Sequence, residues 1–288
     1  MPRGLMHQHS VHPMRPAGAA AHPPHCILEY APEFLEAALL HALQGHPHTH
    51  TFHQQRDPLY EIADPEAREA SFCALHAAWF ARLRLGQTIE QVLQEYPMVV
   101  QQVRVCRVLR ARSAADEGAE LFVASPPPLS HSSRAAARRW VVLRLRPAHL
   151  ATPAALLTFL RRELLHLADM LDPAFGYQPV LPPAVVESVP AHVLRERYRV
   201  LWNTSVDGRL TRLGLAPPTC RAHRLQEFTQ TFPMLGMRTA EAFAGLFEAA
   251  AMTHAELVQG ACAPEAVWGH LRGAYEAHAS GQNEPNAS

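Results

Sequence analysis

The chain has 288 residues, of which 48% are hydrophobic, enough for one sizeable core or two small ones. Its 26 basic side chains, all arginine, balance 26 acidic ones, so the net charge of zero gives no general attraction to nucleic acid or to an anionic membrane surface. The five scattered cysteines argue against a disulfide framework, and no apolar run suits a signal peptide or a membrane span, so we expect a cytoplasmic protein without a membrane or nucleic-acid partner.

Two polar tails are predicted to flank one domain. Residues 1–25 are rich in His, Pro and Ala, and 280–288 are polar, so both lack the apolar surface that offsets the entropy of ordering. We expect disorder in both tails and a single domain over 26–279. Its first part, 26–96, is expected to be helical, because apolar residues such as Phe34, Leu35 and Ala38 recur at helical spacing.

The periodicity changes in the next part, 97–147, where we expect strands. Val103 and Val105 alternate with polar neighbours, Glu120 to Ala124 is a short apolar run, and Val141, Leu143 and Leu145 alternate with other residues as in a strand with one buried face. Helical patterns fill 184–262. The sequence therefore predicts an α+β fold that is predominantly α, with a small sheet of about three strands and a helical C-terminal half.

A long helix is predicted between these parts, over 152–171. Thr152 is a suitable N-cap, Pro153 suits the first helical position, and the helix must end before Pro173. Arg162, His166 and Asp169 are spaced i, i+4 and i+7, and therefore share one face of this helix.

The segment Arg162-Glu163-Leu164-Leu165-His166 in this helix resembles the His-Glu-x-x-His motif of zincin-type metallopeptidases, with the first histidine replaced by arginine. The resemblance implies a zincin-like sheet packed on the motif helix, a peptide or protein as substrate or partner, and zinc or another divalent metal as cofactor. Glu163 would be the general base and His166 a metal ligand. Arg162 cannot replace the lost ligand, because a guanidinium has no lone pair to donate.

Two routes to a further ligand follow from the resemblance, and they disagree. In metzincins the motif continues to a third ligand, a position that Asp172 occupies here, but Asp169 stands where that family has a turn-forming glycine. In gluzincins the ligand is a glutamate on a later helix, followed four residues on by an acid that orients the first histidine. The nearest equivalent here is Asn203 followed by Asp207. The same segment can also be interpreted as the end of a helix, with Gly208 as its C-cap.

Three functional hypotheses follow. The chain is a catalytically impaired zincin relative, a pseudoenzyme that binds peptides or proteins, in which Arg162 neutralises Asp169, Asp207 or Glu163 in place of a metal ion. Alternatively, it is an active metal-dependent hydrolase in which His166 and aspartates such as Asp172 and Asp207 hold the metal. The third hypothesis is a helical interaction protein without metal chemistry.

Overall fold

A computed structural model describes residues 26–124, 138–180, 189–249 and 252–265. Both predicted tails, 1–25 and 280–288, lie outside the described residues. The described part is mostly helical with a small mixed sheet, so the α+β, predominantly α class is confirmed. Its strands are β1 (Ile27–Tyr30), β2 (Val105–Arg110), β3 (Gly118–Ala124) and β4 (Arg138–Leu145). Its helices are α1 (Pro32–Ala42), α2 (Thr49–Arg56), α3 (Pro65–Arg82), α4 (Gln87–Gln94), α5 (Pro97–Gln102), α6 (Pro153–Leu171), α7 (Ala191–Arg212), α8 (Arg221–Thr231), α9 (Thr239–Glu248) and α10 (His254–Cys262).

The sheet has the strand order β1-β2-β4-β3. β1, β2 and β4 are parallel, and β3 runs antiparallel to β4 at one edge. Helices cover one face, where Val141, Leu143 and Leu145 of β4 are buried as the alternation predicts. The other face carries ion pairs between strands, including Arg107 with Glu29.

Two predictions about the first half of the chain were wrong. The segment Ile27–Tyr30, expected within the helical part, is a strand that pairs with β2, because a four-residue segment is too short to reveal its period. The segment Pro97–Gln102, expected among the strands, is the short helix α5, which begins at a proline and buries Val99. The sheet therefore has four strands in the described part instead of about three.

Helix α6 lies between the two largest groups of buried side chains. Leu156, Leu160 and Leu164 belong to the core beneath the sheet, whereas Leu165 and Met170 pack against a second core built by α7 to α10. The helix begins and ends as predicted, although the Thr152 hydroxyl donates a hydrogen bond to the carbonyl of His149 instead of capping the helix. Its motif residues therefore lie between the sheet and the helical second half.

Helix α7 continues past the position where the sequence allowed it to end. Gly208 lies inside α7, not at its C-cap. A Cβ at this position would lie 1.9 Å from the carbonyl oxygen of Phe247 in α9, so only glycine permits this close approach of the two helices. In the described ranges, no helix is long and apolar enough to cross a membrane.

Candidate functional site

His166 connects α6 with α7. Its Nδ1 lies 2.9 Å from the carbonyl oxygen of Arg162, and its Nε2 lies 3.1 Å from Oδ1 of Asn203 on α7. The ring of Trp202 contacts it edge-on, with the ring centroids 4.7 Å apart. Both nitrogens of His166 are therefore engaged within the protein.

Burial, with a contribution from the nearby Arg162 guanidinium, lowers the pKa of His166 to about 3, so the ring is neutral at physiological pH. A neutral imidazole donates from one nitrogen only. The Asn203 amide, whose oxygen and nitrogen ends exchange on a 180° rotation, can donate to the other. His166 thus acts as a neutral hydrogen-bonding bridge between the two helices.

Glu163 points away from His166, toward the sheet edge. Its Oε2 accepts a hydrogen bond of 3.1 Å from the backbone N–H of Ala119 in β3, and its Oε1 lies 3.5 Å from Nη1 of Arg162. Burial raises the pKa of Glu163, and the Arg162 charge and the Ala119 N–H oppose that rise. Glu163 also lines a cavity of about 640 Å³ formed mainly by residues around β3.

Arg162 lies within the protein, with 22% of its side chain exposed. Among the described residues its ion pair is with Glu163, and its buried Nε has no hydrogen-bond partner. Asp169 and Asp207, the other partners that the sequence suggested, are each paired with a different arginine. The Arg162 charge adds to the effect of burial in lowering the pKa of His166 and opposes the effect of burial on the pKa of Asp207.

Asp169 is buried and fully engaged. Arg209 of α7 donates to both carboxylate oxygens, at 2.7 and 2.5 Å, and the indole N–H of Trp202 donates to Oδ2 at 2.7 Å. Trp202 and Arg209 are spaced i and i+7 on α7, which places both on the face toward α6. The sequence shows this spacing of Trp202 and Arg209. It does not show that their helix, α7, packs against α6.

The two remaining aspartates are engaged elsewhere. Asp207 is fully buried and accepts a hydrogen bond of 2.7 Å from Nε of Arg224 on α8, while its Oδ1 has no partner in the described part of the chain. Burial raises the pKa of Asp207, and Arg224 is the largest opposing influence. Asp172 lies at the end of α6, where Oδ1 accepts a hydrogen bond of 2.8 Å from the N–H of Ala174.

A zinc ion does not fit this set of residues. Arg162 offers only N–H donors, His166 is bonded through both nitrogens, and Asp169, Asp172 and Asp207 each have their own partner. Nowhere in the described ranges do three or more His, Cys, Asp or Glu side chains converge to hold a metal ion. The predicted ligands His166, Asp172 and Asp207 are therefore not brought together into a metal site, and each contacts a different partner.

In comparisons with known proteins, no family model, no curated protein and no solved structure matches this chain.

Proposed function

We propose that this chain is a catalytically impaired relative of zincin-type metallopeptidases that binds extended peptide segments without hydrolysing them. The observation that carries the proposal is the contact between His166 and Asn203. In the gluzincin-like interpretation, these are the second motif histidine and the residue in place of the glutamate ligand. Two positions that are 37 residues apart in the chain are adjacent in space, as that interpretation requires.

Two further features support the same relationship. Glu163, in the general-base position, lies against the antiparallel edge strand β3, and Asp207, four residues after Asn203, acts electrostatically on Arg162. The zinc positions are then occupied by a guanidinium and an amide. The Arg162 guanidinium pairs with the Glu163 carboxylate, and water activation by Glu163 has no metal ion to support it.

The active-hydrolase alternative requires His166 and two aspartates to leave their partners. Arg209 and Trp202 would have to release Asp169, or Arg224 would have to release the fully buried Asp207. Breaking one buried ion pair leaves an uncompensated charge and costs about 3–5 kcal/mol. The pseudoenzyme therefore agrees better with these contacts.

The edge of β3 is the surface that we assign to peptide binding. The N–H of Ala119 donates to Glu163, which shows that it points away from β4. The carbonyl oxygen of Arg139 in β4, which is paired with Val123, accepts a hydrogen bond from the N–H of Arg104 and therefore points away from β3. In an antiparallel ladder these orientations alternate, so Leu121 and Val123 also direct their backbone polar groups toward the edge of β3, where no further strand lies among the described residues. A peptide can pair with those groups as an added strand.

This proposal is tested with peptides selected from a randomised heptapeptide library against the full chain. Val123→Pro removes one outward N–H at an edge position that tolerates proline. This change is expected to weaken binding of the selected peptides at least tenfold, whereas the control Val123→Thr is expected to retain binding. Circular dichroism checks that both variants fold.

Three outcomes contradict the proposal. If no peptide is selected, the chain does not bind extended peptides and the proposed function is wrong. If Val123→Pro binds as well as the parent chain, the peptide lies elsewhere. If a quenched fluorescent peptide library is hydrolysed in a metal-dependent reaction that Glu163→Gln abolishes, the chain is a working hydrolase.

A further inference from the structure

A second concave surface lies far along the chain from the motif helix, between α1, α3 and the 3-10 turn Asp57–Glu61. It encloses about 470 Å³ and is hereafter called the α1–α3 cleft. Its lining includes Glu33 and Glu36 of α1 and Glu69 of α3. None of the residues of the motif helix contributes to it, so it is independent of the proposed peptidase ancestry.

The carboxylates of the cleft lack cationic partners. Across the described ranges, Glu33, Glu36 and Glu69 form no ion pair, and Glu69 accepts only a long contact of 3.7 Å from the Cys73 thiol. Arg56 lies in the same wall, but its guanidinium is paired with Asp57 at 3.0 Å. The cleft therefore presents negative charge that no ion pair among the described residues balances.

His76 supplies an independent indication of a ligand. Its side chain lines the cleft although the residue is only 8% exposed, and it has no hydrogen bond or ion pair with any residue that the structure describes. Its ring contacts are with Phe52 and Phe72. Burial lowers the pKa of His76, so a neutral imidazole with a free lone pair faces the cleft. The His76 ring can therefore accept a hydrogen bond from a ligand in the cleft.

The chemistry of the wall selects an organic cation. A metal ion requires donors that converge on one point, and the described His, Cys, Asp and Glu side chains include no such group of three. A guanidinium is planar, carries five N–H donors and stacks on aromatic rings. The cleft offers the packed rings of Tyr60 and Phe72, and the guanidinium of Arg56 already lies 5.7 Å from the centre of the Tyr60 ring.

We propose that the α1–α3 cleft binds an arginine side chain presented by a partner peptide. The guanidinium donates to Glu36, Glu69 and His76, and its face rests on the exposed ring of Tyr60. A partner of this kind is a basic segment with an arginine free to enter the cleft.

The proposal is tested by calorimetric titration of the full chain with an acetylated, amidated pentapeptide that has arginine between glycines. A peptide with citrulline in place of arginine, equal in shape but neutral, is expected to bind at least tenfold more weakly. The double variant Glu36→Gln with Glu69→Gln is expected to bind the arginine peptide at least tenfold more weakly than the parent chain does. Glu66→Gln, an exposed change on α3 outside the cleft, keeps the parent affinity within about twofold.

A second measurement uses NMR to follow the chemical shifts of the His76 ring nitrogens. These chemical shifts are expected to change when the arginine peptide is added and to stay unchanged when the citrulline peptide is added. The proposal is overturned if the arginine peptide does not bind at millimolar concentration, or if the citrulline peptide or a lysine peptide binds equally well. A dimer of the chain that the Glu36 and Glu69 changes dissociate would assign the cleft to a second copy instead.

Discussion

Asp169 shows how single residues hold the candidate site in its present form. Its carboxylate accepts from Arg209 twice and from Trp202 once, and 8% of the side chain is exposed. The sequence placed Asp169 correctly on the face of Arg162 and His166 but could not identify its partner. The reason is physical, since any of several arginines had the right charge, and only the packing of α7 on α6 selects Arg209.

Asp169→Asn leaves the Arg209 guanidinium without its counter-charge in a largely buried position. We expect a loss of about 3–5 kcal/mol in the free energy of unfolding, measured by urea denaturation. The matched control is Glu95→Gln, which removes the partner of Arg161 in a more exposed pair and is expected to cost less than about 1 kcal/mol. Equal losses for the two changes would mean that the Asp169 pair is not a structural link.

The lowered pKa of His166 makes a prediction about pH. Because the folded-state pKa of about 3 lies below the ordinary value of 6.5, the unfolded chain binds the proton more readily between these values. The stability that neutral His166 contributes is present above pH 6.5 and is lost as the pH falls toward 3, by about 1.4 kcal/mol per pH unit. The measurement is urea unfolding from pH 7.5 to pH 4.5, for the parent chain and for His166→Gln.

The difference in unfolding free energy between the parent chain and His166→Gln is expected to shrink as the pH falls through this range. Taking the difference removes the opposite effects of Glu163 and Asp207, whose pKa values are raised in the folded state. A difference that stays constant with pH would contradict the buried, neutral state of His166.

At the scale of elements, the close crossing of α7 and α9 depends on Gly208. Gly208→Ala places a methyl group against the backbone of Phe247 and is expected to destabilise the protein by about 1–3 kcal/mol. Gly245→Ala is the matched control, because nothing lies within 4 Å of a Cβ at that position in α9. We expect Gly245→Ala to stabilise by about 0.5–1 kcal/mol, as replacement of a helical glycine does where space is open.

Thermal and urea unfolding of the two glycine variants give the comparison. If Gly208→Ala is as stable as Gly245→Ala, the two helices do not approach as closely as the structure indicates.

The sequence predicted long elements well and short ones poorly. The limits of α6 followed from Pro153 and Pro173, and the buried face of β4 followed from its alternation, because both patterns extend over several periods. Ile27–Tyr30 and α5 were assigned to the wrong type because four to six residues contain too few repeats. Gly208 was ambiguous because glycine serves both helix ends and close helix contacts, and only the partner helix distinguishes them.

At the scale of the whole molecule, α6 connects the sheet with the helical second half, and the candidate site lies at that junction. The side chains Glu163, His166 and Asp169 reach in turn to β3, to Asn203 and to Arg209. The motif identified the helix and the residues on its face. It could not give their partners, since these come from segments about 40 residues away in the chain.

We propose that the contact between His166 and Asn203 preserves the geometry of a former zinc site. The most direct test is the double variant Arg162→His with Asn203→Glu, purified without a histidine tag and assayed for zinc by mass spectrometry. Both lost ligand types are then restored beside His166, and we expect one zinc ion per chain. The control Arg162→His with Asn203→Gln lacks the carboxylate and is expected to retain none. If the restored variant is folded and still binds no zinc beyond the control, the zincin relationship is contradicted.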